Sequence, residues 1–90
     1  MLMLPTEVTH AQASACLQML VQGLRSEAGS AIIVDASPLL RFDSSALALL
    51  LECRRESLAR GKSFSVRGLP SRLRDLAGLY GVAGLLPAAA

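Results

Sequence analysis

One short run constrains this chain more than any other. Ala31-Ile32-Ile33-Val34 is an unbroken apolar stretch, mostly β-branched, that ends at Asp35. Such a run reads as a strand covered on both faces, as in parallel or mixed sheets. Covering both faces requires helices, and amphipathic helical patterns stand on either side of it. Strand and helix patterns alternate along the chain. The expected class is α/β, a small mixed β-sheet packed against helices.

The flanking signals are local and specific. Met1–Leu4 reads as a short strand. Thr9 followed by Gln12 has the capping-box spacing, and Ala13, Cys16, Leu17, Leu20, Val21 and Leu24 then form one helical stripe. Gly29 and Ser30 close that unit. Ser37-Pro38 breaks the chain after Asp35, and Leu39, Leu40 and Phe42 return apolar groups toward the core. Asp43-Ser44-Ser45 are all helix-capping types, so a second helix opens there, with Leu47, Leu50, Leu51 and Leu58 as its buried face and Gly61 as its stop. Phe64-Ser65-Val66 alternates as a strand should. Ser71 reads as the cap of a third helix, with Leu73, Leu76, Ala77 and Tyr80 as its stripe and Gly81 as its end. Val82, Leu85 and Leu86 fold back onto the sheet, and the chain frays from about Pro87. No linker or repeat divides the sequence, so residues 1–90 form a single domain.

Composition removes several function classes. Ninety residues with a net charge of +2 do not form a basic footprint. Seven of the nine basic residues lie between Arg54 and Arg74, but Glu52 and Glu56 have intrahelical spacing to Arg55 and Arg60. With only 3% aromatic residues there is no stacking platform for single strands, and no nucleic-acid partner is expected. Cys16 and Cys53 fit no metal spacing and read as reduced thiols filling apolar space. The longest apolar run, Ala46–Leu51, is far short of the ~20 residues a spanning helix needs. No leader peptide is evident, because Met1–Leu4 stops at Pro5 and lacks a basic start.

The catalytic inventory is thin. His10 is the only histidine and lies in the first turn of a helix. There is no phosphate-binding glycine loop, no Cys/His set and no nucleophile elbow. Asp35 and Asp43 flank one loop and could converge, but two carboxylates without a histidine, metal or cofactor motif make a weak enzyme. The expectation is a non-enzymatic docking domain with no cofactor and no metal. The segment from Val34 to Leu51 is the most informative: a buried strand ends in Asp35, and a loop delivers Asp43, Ser44 and Ser45 to a helix start. Amides at that start favour added negative charge, so a hydroxyl there could cap in one state and carry a phosphate in another. From spacing alone, simple capping by Ser44 or Ser45 is the favoured reading.

This segment resembles the STAS family, in which a strand ending in Asp is followed by a loop and by Asp-Ser-Ser-Gly or Asp-Thr-Gly-Gly at a helix start. The similarity runs in outline from about residue 4 to 87 and is sharpest from Ile33 to Leu51. Ala46-Leu47-Ala48-Leu49-Leu50-Leu51 and Leu76-Ala77-Gly78-Leu79-Tyr80-Gly81-Val82, closed by Leu85-Leu86-Pro87, are similar to the MlaB-like branch of that family. That branch comprises small cytoplasmic subunits of phospholipid ABC transporters. The resemblance implies a chain that binds and stabilises or regulates the transporter's ATPase subunit, peripheral to the inner membrane through that partner. It implies that Asp43 is the motif aspartate and that Ser44 lies where the ATPase is contacted. Ser45 matches the serine phosphorylated in anti-sigma-factor antagonists. The implied contact surface is Asp43, Ser44 and Ser45 with Leu47 on the adjoining helix. An anti-sigma-factor antagonist switched by phosphorylation at Ser45, or at Ser44, is the alternative. A free-standing ligand sensor is a third class, and no pocket is foreseen for it. There are two departures from the pattern. Ala46 stands where the family has glycine, and the family's first strand is expected to be missing before Met1, either because the sheet has lost an edge strand or because the true start lies upstream. An edge left open in this way is expected to favour a homodimer in isolation.

Overall fold

In the computed structural model, which describes residues 1–89, the elements follow the expected alternation. They are β1 (Leu2–Met3), β2 (Glu7–Val8), α1 (His10–Ser26), β3 (Ala31–Asp35), β4 (Arg41–Phe42), α2 (Ser45–Ala59), β5 (Ser63–Arg67) and α3 (Ser71–Leu79), with a 3-10 turn at Ala83–Leu85. The α/β fold is as the sequence indicates, and every registered strand pair is parallel. β3 lies in the middle of a three-stranded sheet, pairing with β1 (Leu2 opposite Val34) and with β5 (Ile32 opposite Phe64). The neighbouring pair, β2 with β4, sets Glu7 opposite Arg41 and Val8 opposite Phe42. Both pairs draw on the same two chain segments. Pro5 on one side and Ser37-Pro38 on the other interrupt them, since proline cannot donate to a ladder.

The central strand is central because of its composition. Ile32 and Val34 are fully buried, and helices α1 and α2 supply Leu20, Leu24, Leu50 and Cys53 to the same core. At the start of α1, the Gln12 side-chain oxygen accepts from the Thr9 amide at 2.9 Å, satisfying a donor that the helix leaves free. At its far end, Lys62 Nζ donates to Glu27 O and, at 2.8 Å, to Gly29 O, closing carbonyls that no helical amide reaches. Gly61 and Gly81, the expected stops of α2 and α3, both have positive φ, 72° and 73°.

Several local expectations change, among them that of Leu40, which is exposed rather than turned toward the core. Leu58 is 47% exposed, and the inward position beside it belongs to Ser57, which is fully buried. The Ser57 hydroxyl donates to Cys53 O at 2.7 Å, so a polar side chain can sit there at no hydrogen-bonding loss. Tyr80, the C-terminal cap of α3, is exposed, and Leu85 is exposed while Leu86 is buried. Ser71 is the first residue of α3 rather than its cap, with Pro70 preceding it in an extended conformation. Pro87–Ala89, expected to fray, instead bonds to β5: Val66 N–H donates to Pro87 O and Ala89 N–H to Val66 O, each at 2.8 Å. Ala90 lies outside the described residues. Of the two helical charge pairs, Glu52 and Arg55 meet at 2.9 Å, whereas Glu56 and Arg60 form no ion pair.

Candidate functional site

The strands are parallel, so their carboxyl ends gather on one side of the sheet, and the loop after β3 leads from there into β4 and α2. Asp35 and Asp43 terminate strand segments on that side, but they share no hydrogen-bond partner. Asp35 is nearly buried, and its Oδ1 accepts from the Ser37 amide at 2.9 Å, closing a turn within its own loop. The Ser37 hydroxyl and amide hold its carboxyl below the ordinary carboxylate range.

Asp43 is arranged differently. Its Oδ1 accepts from the Ser45 amide at 2.8 Å, at the first residue of α2. Its Oδ2 accepts from the His10 amide at 3.0 Å, at the first residue of α1. One carboxylate therefore satisfies a free donor at the start of each helix and holds the two starts side by side. The Ser45 amide, and then the His10 amide, depress its pKa below the ordinary value. The capping side chain is thus Asp43, and neither Ser44 nor Ser45 makes a side-chain cap. The Ser44 hydroxyl is exposed and makes no cap bond, while the half-buried Ser45 hydroxyl lies beside the Asp43 carboxylate and helps to hold its pKa down.

Leu47 does not belong to this surface. It is 3% exposed and sits in the hydrophobic core, so it has no area to offer a partner. The helical period carries it inward two residues after Ser45. What borders Ser45 instead is a groove of about 440 Å³ between α1 and α2, walled by His10, Ala13 and Leu17 on one side and Ser45, Ala48 and Glu52 on the other. Sequence reading missed this groove. Its signal was the small residues Ala13, Ser14 and Ala48 on facing helix sides, which becomes visible only once α1 and α2 are known to pack together.

No group of three or more Cys, His, Asp or Glu side chains converges as a metal site among the described residues. Cys16 and Cys53 are free and buried in the core, and desolvation, with Cys16 nearby, pushes the Cys53 thiol up to about 12. No helix among the described residues is long and apolar enough to cross a membrane.

A parallel α/β sheet thus carries, after its central strand, a helix start capped by Asp43 with Ser44 and Ser45 beside it. A family model described as "Mlab, STAS domain" matches residues 1–87, and the chain belongs to this family. STAS proteins are generally non-catalytic binding and regulatory proteins. Among solved structures, the chain is similar to the anti-sigma factor antagonist SpoIIAA in its unphosphorylated form. The two are 20% identical, the match covers 98% of this chain and 76% of that one, and the TM-score is 0.73. That likeness is one of fold. No curated protein matches the sequence.

Proposed function

We propose that this chain is a STAS subunit that binds the ATPase of a phospholipid-trafficking ABC transporter, and stabilises or regulates it from the cytoplasmic side. The observation that carries this reading is the Mlab-type family match across residues 1–87. Support also comes from the Asp43 capping arrangement, which leaves the Ser44 hydroxyl exposed and sets the Ser45 hydroxyl beside the carboxylate at the start of α2. The partner docks against Asp43, Ser44 and Ser45 and the groove beside them. The chain contributes no nucleotide chemistry of its own, and it is membrane-associated only through the ATPase.

The test is co-expression with the ATPase subunit of the phospholipid ABC transporter from the same organism. The wild-type chain co-purifies with it. Ser45→Glu places a charge against the partner and costs desolvation and repulsion, so it abolishes co-purification while the circular dichroism spectrum is unchanged. Undiminished co-purification of Ser44→Glu and Ser45→Glu would remove this site.

A second reading, an anti-sigma-factor antagonist switched by phosphorylation, is favoured by one observation. Ser45 is half-exposed at a helix start. The local charges argue for how such a switch would work. Asp43 already occupies the Ser45 amide, and Glu52 faces the same groove. A phosphate on Ser45 would therefore meet the Asp43 carboxylate and act by repulsion, not by gaining new amide bonds. Intact mass of the chain purified from its own cells separates the readings, because only the antagonist requires a phosphorylated fraction.

A further inference from the structure

The most exposed large apolar side chains are Leu40 and Leu79, each 79% exposed, and Leu40 is three residues before Asp43. It is not a mobile tip. The Leu40 and Arg41 amides both donate to Thr6 O, at 2.8 and 3.0 Å, so the backbone is pinned to the segment before β2. Its immediate partner on the inward side is Leu39, which is 3% exposed, so the chain turns one leucine in and the next one out. Two arginines neighbour this segment. Arg41 follows directly and is exposed. Arg72, also exposed, stacks over the Phe42 ring with its guanidinium carbon 5.7 Å from the centroid. Neither guanidinium has an ion-pair partner among the described residues. Glu7 is opposite Arg41 in the β2–β4 register, but its carboxylate lies toward Gln12, at 3.4 Å. Both oxygens of Asp43 are taken by amides.

We propose that Leu40, flanked by Arg41 and Arg72, is the anchor of the partner interface, and that it fits an apolar pocket rimmed by carboxylates on a protein partner. This rests on the ATPase reading and specifies the surface that the ATPase must present. A preordered leucine loses little freedom on binding, and its burial adds affinity directly. Unpaired guanidiniums at the rim select an acidic surface and speed encounter with it. The anchor replaces Leu47, which the core has already consumed.

The experiment measures binding of the full chain to the purified ATPase subunit by titration calorimetry, at low and high salt. Leu40→Ser weakens binding about tenfold to a hundredfold, the worth of a buried leucine side chain. Its melting temperature stays at the wild-type value, because the side chain is solvent-exposed in the free domain. Arg41→Glu also weakens binding and removes most of the salt dependence seen with the wild type. Ser45→Glu serves as the second probe. If Ser45→Glu loses binding while Leu40→Ser and Arg41→Glu bind like the wild type, the anchor is overturned and the ATPase reading stands. If the wild-type chain does not bind the ATPase, the reading fails and the anchor falls with it. Two other occupants would also overturn the proposal. One is a second copy of the chain, shown by a concentration-dependent dimer that Leu40→Ser abolishes. The other is an anionic lipid surface, shown by wild-type binding to phosphatidylglycerol vesicles that Leu40→Ser abolishes while ATPase binding is retained.

Discussion

Leu40 and Leu47 stand seven residues apart on the two sides of the Asp-Ser-Ser triplet, with opposite fates. Leu40 is 79% exposed and Leu47 is 3% exposed. Residue type cannot account for this, since both are leucines. The difference comes from local backbone. Leu39 and Leu40 lie in the loop before β4, where the Leu39 amide bonds to Ala36 O and the Leu40 amide to Thr6 O, and Leu39 is buried while Leu40 stands outside. On the helix side the period is 3.6, and Ala46, Leu47, Leu50 and Cys53 return to the core together. Asp43 stands between loop and helix. Its carboxylate fixes where α2 begins, and that starting point decides which leucines the core receives.

The comparison is tested most sharply by truncating both leucines. Leu47→Ala leaves a cavity in a packed core and should cost about 2–5 kcal/mol in urea unfolding, enough to unfold much of a marginal domain. Leu40→Ala should stay within about 0.5 kcal/mol of the wild type. Equal costs would mean that Leu47 is not where the helical phase puts it.

The next largest effect belongs to Asp43, whose two bonds can be separated. Asp43→Ala removes both, lowers the denaturation midpoint by less than Leu47→Ala, and speeds hydrogen exchange in the first turns of α1 and α2 together. Asp43→Asn keeps one carbonyl oxygen for the Ser45 amide but presents an NH₂ group to the His10 amide, which donates as well. The expected result is faster exchange at the start of α1 alone. If both turns loosen in Asp43→Asn, the carboxylate acts as a single charge and not as two directed acceptors.

The order of elements was legible because its signals are local: the β-branched run at Ala31–Val34, the Thr9–Gln12 pair, and the glycine stops at Gly61 and Gly81. The site was only half legible. Asp43, Ser44 and Ser45 were marked by residue type, but all three are capping types, and only geometry shows that Asp43 takes the task. Its bond to His10 spans 33 residues, so nothing local could announce it. The buried face of α2 was misjudged where hydrophobicity and phase disagree. Leu58 outranks Ser57 as an apolar residue, but Ser57 has the inward position and a backbone acceptor. The pairing of Pro87–Ala89 with Val66 was hidden for another reason. A proline followed by alanines has no strand signature, and the pairing depends on β5 having an open edge.

The smallest expected effect is in acid, and it separates the two aspartates. Amide and hydroxyl donors hold the folded-state pKa values of Asp35 and Asp43 below the ordinary value of 3.8. A depressed pKa means that the folded state takes up a proton less readily than the unfolded chain. The stabilisation is therefore complete above the unfolded value and is lost as pH falls through the folded one. The midpoint of urea unfolding should be flat from neutral pH to about pH 5 and should fall below about pH 4. Glu27, held low by the Met1 ammonium, contributes to the same window, so wild-type titration alone cannot assign the loss. Single variants can. Asp43→Asn should start from a lower neutral-pH midpoint and show a shallower acid decline, because its share of the proton linkage is gone. Asp35→Asn should do the same, with exchange at the start of α1 unchanged, since Asp35 bonds only within its own loop. Because water screens the exposed Asp43 carboxylate, its slope will be small. An acid decline as steep in Asp43→Asn as in the wild type would mean that the His10 and Ser45 amides do not favour the charged form, and the tether between the two helix starts would then have to be explained by packing alone.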